Sequence, residues 1–292
     1  MRPYNSCRMR KADFFRYLWS LAATVVLLTL VLVGCSRTLT QILPTKQTPV
    51  QSTSVHLTLG NPSDATDSIT NPDNYLMVKP QYALSYNRSK GTLNWASWQL
   101  NQSWLGSVDR QNDFRPDDTL PIGWERVTPS VYTGSGYDKG HVVPSGDRTR
   151  TAQDNSATFL MTNIVPQTPD NNRHTWEGLE SYCRELVKQG KELYIIAGAF
   201  DSERKPLKGK VTIPQTTWKV VVVLDNPGSG ISGVTTNTRT IAVNIPNKQG
   251  INPDWRAYRL TIDELEDITD YNFLSNVPTT IQDVIEEKID TQ

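Results

Sequence analysis

Three stretches in the second half of the chain constrain its fold most: Glu192-Leu-Tyr-Ile-Ile-Ala197, Trp218-Lys-Val-Val-Val-Val-Leu224 and Arg239-Thr-Ile-Ala-Val-Asn244. β-branched side chains lose rotamer freedom in a helix and pack well on a pleated surface. Each run is short and bounded by Gly, Pro or Asn, so the three predict central strands. Upstream, residues 75–79, 82–86 and 93–100 alternate apolar and polar positions around turns, which predicts an antiparallel meander. Helical patterns are fewer. Residues 171–189 place Trp176, Leu179, Cys183 and Leu186 on one face and stop at Gly190, and shorter patterns cover 262–268 and 281–289. The expected class is α+β, a large central antiparallel sheet with few helices. No internal repeat and no second linker interrupt residues 55–292, so these predict a single domain.

The N-terminus has a separate purpose. Arg2, Arg8, Arg10, Lys11 and Arg16 precede an uncharged apolar run over 17–34 that ends in Leu32-Val33-Gly34-Cys35. A basic segment, an apolar segment and small residues in that order form an export signal. Leu-Val-Gly-Cys resembles a bacterial lipobox, which implies cleavage before Cys35 and lipidation of its sulfur. The same run also fits an uncleaved anchor helix in which Cys35 is incidental. Both readings keep the basic end in the cytoplasm, so the expected location is extracytoplasmic, membrane-anchored in the envelope or secreted. Residues 36–54 are rich in Ser, Thr, Gln and Pro and read as a flexible linker between residues 1–35 and the domain. The remaining cysteines are Cys7 and Cys183. If Cys35 is acylated, the mature chain has no pair for an internal disulfide, and Cys183 reads as a small buried residue.

The whole chain balances 30 Lys+Arg against 30 Asp+Glu, and removing residues 1–34 leaves 25 basic against 29 acidic. Bulk attraction to phosphate is therefore excluded, and any nucleic-acid site must be a local basic patch. The chain has only three histidines, so the search for a general base near neutral pH is short. His56 sits at the linker edge and His174 in a polar turn. His141 closes Tyr137-Asp-Lys-Gly-His141, where the glycine suggests a turn entering a strand, and a lone histidine of that description is more often structural than catalytic.

Downstream of His141 stand Thr162-Asn-Ile-Val-Pro-Gln167, Asn171-Asn172, Trp176 and Leu179-Glu180. Together these resemble the DNA/RNA non-specific endonuclease family of the ββα-metal fold, whose pattern is Asp-Arg-Gly-His, then Ser/Thr-Asn-x-x-Pro-Gln, a metal-binding Asn, a Trp and a Glu. The likeness is strongest to its secreted, sugar-non-specific branch and covers roughly residues 55–290. It implies a phosphodiester hydrolase acting on DNA and RNA and leaving 5′-phosphates, with Mg²⁺ or Mn²⁺ as cofactor and a protein inhibitor among its partners. The membrane is a further partner through the N-terminal segment. His141 is implied as general base, Asn172 as the direct metal ligand, Arg110 as the transition-state arginine and Lys139 as a phosphate contact. Asn163 is expected to hold structure around the site.

Three points stay open on the residues themselves. Glu180 follows Asn172 by eight positions, about 80° around a regular helix and roughly 12 Å along it. Either Glu180 then acts through metal-bound water, or the helix starts irregularly around Asn172. Arg115 competes with Arg110. Lys139 stands where the family carries Arg, keeping charge but losing a planar two-pronged contact, which puts phosphate positioning in doubt. The alternative function is a non-catalytic nucleic-acid-binding envelope lipoprotein of the same fold. A metalloprotease is disfavoured, because no His-Glu-x-x-His is present.

Overall fold

The β-branched runs pair with one another at the centre of the computed structural model, which describes residues 54–200 and 206–292. Strands β1 (Tyr75–Val78), β2 (Ala83–Asn87) and β3 (Thr92–Leu100) form the expected meander. After a long excursion the chain returns as β6 (Glu192–Phe200), β7 (Thr216–Leu224), β8 (Arg239–Pro246) and β9 (Arg259–Leu260). The result is a seven-stranded sheet in the order β1-β2-β3-β6-β7-β8-β9, every neighbouring pair antiparallel. Within the excursion, β4 (Asp138–His141) and β5 (Ile164–Gln167) form a separate antiparallel pair.

Alternate residues of each central strand enter different cores. Leu193, Ile195, Ala197, Val221, Val223, Ile241 and Val243 face one cluster together with Val142, Val165, Trp176, Leu179 and Cys183. Tyr194, Ile196, Trp218, Val220, Val222 and Ala242 face the other, with Ile262, Leu265, Phe273 and Ile285. Both faces are covered, which is why these strands read as continuous apolar runs rather than as alternation. Strands β2 and β3 of the meander are buried as well, polar positions included, apart from half-buried Gln99, whereas the edge strand β1 buries only Met77 and leaves Val78 exposed. Ser85 Oγ donates to Asn74 Oδ1 at 2.7 Å, and Asn94 Nδ2 donates to Ser85 Oγ at 3.0 Å, so the alternation marks a hydrogen-bonded layer, not a wet face.

Helix α1 (Ala152–Ala157), N-capped by Thr151, has no counterpart in the sequence reading. The pattern at 171–189 resolves into a π-helical turn, Asn171–Trp176, followed by α2 (Glu177–Lys188). Gly190, at φ +90°, ends it as expected. Helix α3 (Ile262–Thr269) carries a capping box from Thr261 and Glu264. Helix α4 (Thr279–Ile285) starts at Pro278 and stops four residues before the expected 289.

Residues Ser52–Gln292 cluster as one compact unit. The apolar run, the lipobox with Cys35 and the linker up to residue 53 lie outside the described residues. Among the described residues, no helix is long and apolar enough to cross a membrane.

Candidate active site

His141 ends a strand; it does not enter one from a turn, as the sequence suggested. In the β4–β5 pair His141 lies opposite Ile164 and Gly140 opposite Val165. Gly140 is needed for closeness, not for a turn: a Cβ there would collide with the Gln167 carboxamide. Asn163, fully buried, ties the two strands by accepting from Val143 N and donating to Val143 O, both at 2.9 Å. Trp176 Nε1 donates to the His141 carbonyl at 3.2 Å and clamps the strand to the helix that follows. Two strands and a helix thus present the imidazole.

The His141 ring packs against Phe114 and Phe159, with centroids 5.3 and 4.7 Å away. Its Nε2 is enclosed without a hydrogen-bond partner. Burial, reinforced by Arg110 and Lys139, pushes its pKa down to about 3. The imidazole is therefore unprotonated across the whole neutral range, the state in which a general base begins. His56 is also buried, with Nε2 within 2.9 Å of Pro80 O and Nδ1 accepting from Gln99 N, so it ties the β1–β2 turn to β3. His174 is exposed.

A π-helical turn carries Asn172 at the head of the helix that bears Glu180. Asn171 is sealed in the core: its Nδ2 donates to Thr217 Oγ1 at 3.0 Å, and its Oδ1 accepts from Gln167 Nε2 at 2.7 Å. One turn on, Thr175 Oγ1 donates to Asn252 O at 2.8 Å. Both anchors point into the protein, and the backbone between them widens to satisfy them. The helix starts irregularly around Asn172, so the spacing of a regular helix does not apply between the two residues. Asn172 and Glu180 line the same cavity, of about 460 Å³, together with Arg110, Lys139 and His141. All five expected site residues converge there. The Asn172 Nδ2 donates to Asp138 Oδ2 at 3.0 Å, which leaves its carbonyl oxygen as the group free for a ligand.

Charge in the cavity is mixed. Arg110 Nη1 donates to Ser145 Oγ at 2.6 Å and its guanidinium lies 4.8 Å from the Phe159 ring centre. Burial lowers its pKa, and Glu180 opposes that. Arg115 instead pairs with Asp113 at 2.7 Å and lines a different cavity, so the competition resolves towards Arg110 as the neighbour of His141. Lys139 lines the cavity, with Nζ 4.7 Å from the Phe114 ring centre. Glu180 is pushed up to about 7, by burial first, while Lys219 and Arg184 pull the other way.

Several residues around the site were not singled out from sequence. Asp138 binds Asn172 and, through two contacts at 2.7 and 2.8 Å, the guanidinium of Arg173. Arg184, one turn after Glu180, pairs with the buried Asp147 at 3.1 Å. Lys219 is buried in β7 with Nζ 4.0 Å from the Trp176 ring centre. A lysine inside a run of valines was the available signal for the last of these.

Residues 60–280 match the family model described as DNA/RNA non-specific endonuclease. The chain belongs to that family. Among its relatives, a nuclease of a Nostoc species is 65% identical over 91% of this chain and 97% of its own length. The human mitochondrial nuclease EXOG is 27% identical over 68% of this chain, which spans 56% of that protein. The fold matches a crystal structure of the EndoG/EndoGI complex with a TM-score of 0.62 and 22% identity, covering 77% of this chain and 91% of that one. As a member of the DNA/RNA non-specific endonuclease family the chain is a nuclease, a phosphodiester hydrolase.

Proposed function

We propose that this nuclease cuts DNA and RNA internally with one hydrated Mg²⁺ or Mn²⁺, leaving 5′-phosphates, with His141 as general base. The observation that carries this reading is the convergence of His141, Arg110, Lys139, Asn172 and Glu180 on one cavity. A carboxamide oxygen and a carboxylate are hard oxygen donors of the kind Mg²⁺ or Mn²⁺ accepts while keeping most of its waters. Asn172 would hold the ion directly and Glu180 through water. When bound, the ion supplies positive charge to the phosphate and to the departing 3′ oxygen.

The chain's own side chains do the rest. Neutral His141 takes a proton from the attacking water, a contribution of about 10²–10⁴ in rate. Arg110 presents a fork of N–H donors to two phosphate oxygens and gains strength as the transition state accumulates charge. Lys139 adds a point charge, with less geometric control than Arg would give. None of these groups reads a base, which fits weak sequence and sugar preference.

Digestion of plasmid DNA and of RNA by the purified protein, with Mg²⁺ or Mn²⁺ and with EDTA, tests the reading. Cleavage of both that stops with EDTA is expected; cleavage unaffected by EDTA would overturn the metal role. We also infer extracytoplasmic placement through the N-terminal segment with lipidation at Cys35. Incorporation of a fatty-acid analogue that is lost in Cys35→Ala is expected, and labelling unchanged in that variant would refute it. The structural neighbour was solved as the EndoG/EndoGI complex, and we infer an inhibitory protein partner for this chain as well.

A further inference from the structure

On the sheet face away from His141, three carboxylates gather where α3 meets the end of α4. Asp263, Glu266 and Glu286 each place an oxygen within 4.8 Å of the others. The backbone brings them there: Ile262 N and Asp263 N donate to Glu286 O at 2.9 and 3.3 Å, so the end of α4 caps the start of α3. Ile262, Leu265 and Ile285 bury the junction in the second core. Apolar packing accounts for the helices meeting. It does not account for three acids at the seam.

Two observations mark the cluster as more than a solvated acidic surface. Glu286 is only 5% exposed, and its Oε1 is enclosed with no donor. Desolvating a carboxylate oxygen without a partner is costly. Compensating charge is also missing. Asp267, Asp283 and Glu287 add to the field, and among the described residues none of these six acids forms an ion pair. Arg239 on β8 and Arg259 on β9 are both committed to Asp290, at 2.7 and 3.5 Å. Burial, then Glu266 and Asp263, push Glu286 up to about 8, as expected for a carboxyl lacking a counter-ion.

We propose that Asp263, Glu266 and Glu286 form a second cation site, distinct from the nuclease cavity, that takes a hard divalent ion of the calcium class and fastens α4 to α3. The donors are all oxygen, with no His or Cys, which disfavours zinc and copper. Oxygens bound at 2.3–2.6 Å to Ca²⁺ stand at most about 5 Å apart, whereas around Mg²⁺ they stand at most about 4 Å apart. Separations within 4.8 Å fit either shell, and three protein carboxylates at one point favour the larger ion, because Mg²⁺ keeps most of its own waters. Glu266 Oε1 already accepts from Phe273 N at 2.7 Å, so water completes a coordination shell of six to eight.

The test is thermal unfolding of the EDTA-stripped full chain at pH 7 with Ca²⁺ alone as the probe. At a Ca²⁺ concentration about tenfold above Kd, Tm should rise by about 3–6 °C. Asp263→Asn, at a partly exposed position, and Glu286→Gln should remove the rise, while Asn172→Ala, which alters the nuclease cavity, should keep it. No rise in the wild-type chain overturns the proposal. So does a rise kept in Asp263→Asn but lost in Asn172→Ala, because the ion would then sit in the cavity. If Glu286→Gln raises Tm and Ca²⁺ does nothing, a proton, not a cation, holds the cluster together.

Discussion

Asp138 touches neither the proposed water nor the phosphate, yet the geometry makes it the residue that aims Asn172. Its Oδ2 accepts from Asn172 Nδ2 at 3.0 Å, while both carboxylate oxygens bind Arg173. The carboxylate stays charged, because hydrogen bonds from Arg173 and Asn172 and the charges of Arg173 and Lys139 together outweigh burial and lower its pKa. Asp138→Ala frees the Asn172 carboxamide to rotate and lets Arg173 swing into solvent. A hydrogen bond to a charged partner contributes about 1.5–3 kcal/mol. If that fixes the carbonyl oxygen towards the ion, its loss corresponds to about 10–100-fold in ion affinity, the range usual for groups that orient a metal ligand. The assay is cleavage rate against Mg²⁺ or Mn²⁺ concentration. The half-saturating concentration should rise by about that factor, and rate should largely recover at saturation. A half-saturating concentration equal to wild type would show that Asp138 does not orient the ligand.

Arg110→Ala should cost about 10²–10³ in kcat, the usual loss for one donor to a developing charge, whereas Arg115→Ala, in another cavity, should leave kcat near wild type. Equal losses in the two would undo the choice between them. Gly140→Ala should destabilise the protein by about 1–3 kcal/mol, because the new methyl overlaps the buried Gln167 side chain; an unchanged denaturant midpoint contradicts that packing. His56 has its folded pKa lowered to about 4, by burial first, from 6.5. It therefore contributes stability that is whole above pH 6.5 and falls away as the pH drops towards 4. Between pH 7 and pH 5 wild type should lose about 2 kcal/mol more than His56→Gln does. Parallel pH curves for the two proteins would mean that the ring is not held neutral.

The strands were legible because both their faces are apolar: valine and isoleucine on successive positions can only be placed in a sheet covered on two sides. The candidate site was legible through the family resemblance that the motifs around His141, Asn163, Asn172 and Glu180 carry, and the structure places these residues on or beside one ββα unit. What spacing could not convey was the π turn. It depends on Asn171 and Thr175 finding Thr217 and Asn252 across long loops, contacts invisible along 171–189. Gly140 misled for a related reason. Glycine marks turns and close approaches alike, and only the opposing Gln167 distinguishes them. Likewise His56 looked peripheral until Pro80 and Gln99 closed around it.

The account rests on a neutral imidazole at residue 141 taking the proton of the attacking water. Its most direct test is the Mg²⁺-dependent DNA cleavage rate of folded His141→Ala, measured with and without added imidazole. The account predicts a loss of at least about 10² and partial recovery as imidazole enters the vacated space in the cavity. A rate equal to wild type without imidazole would contradict it.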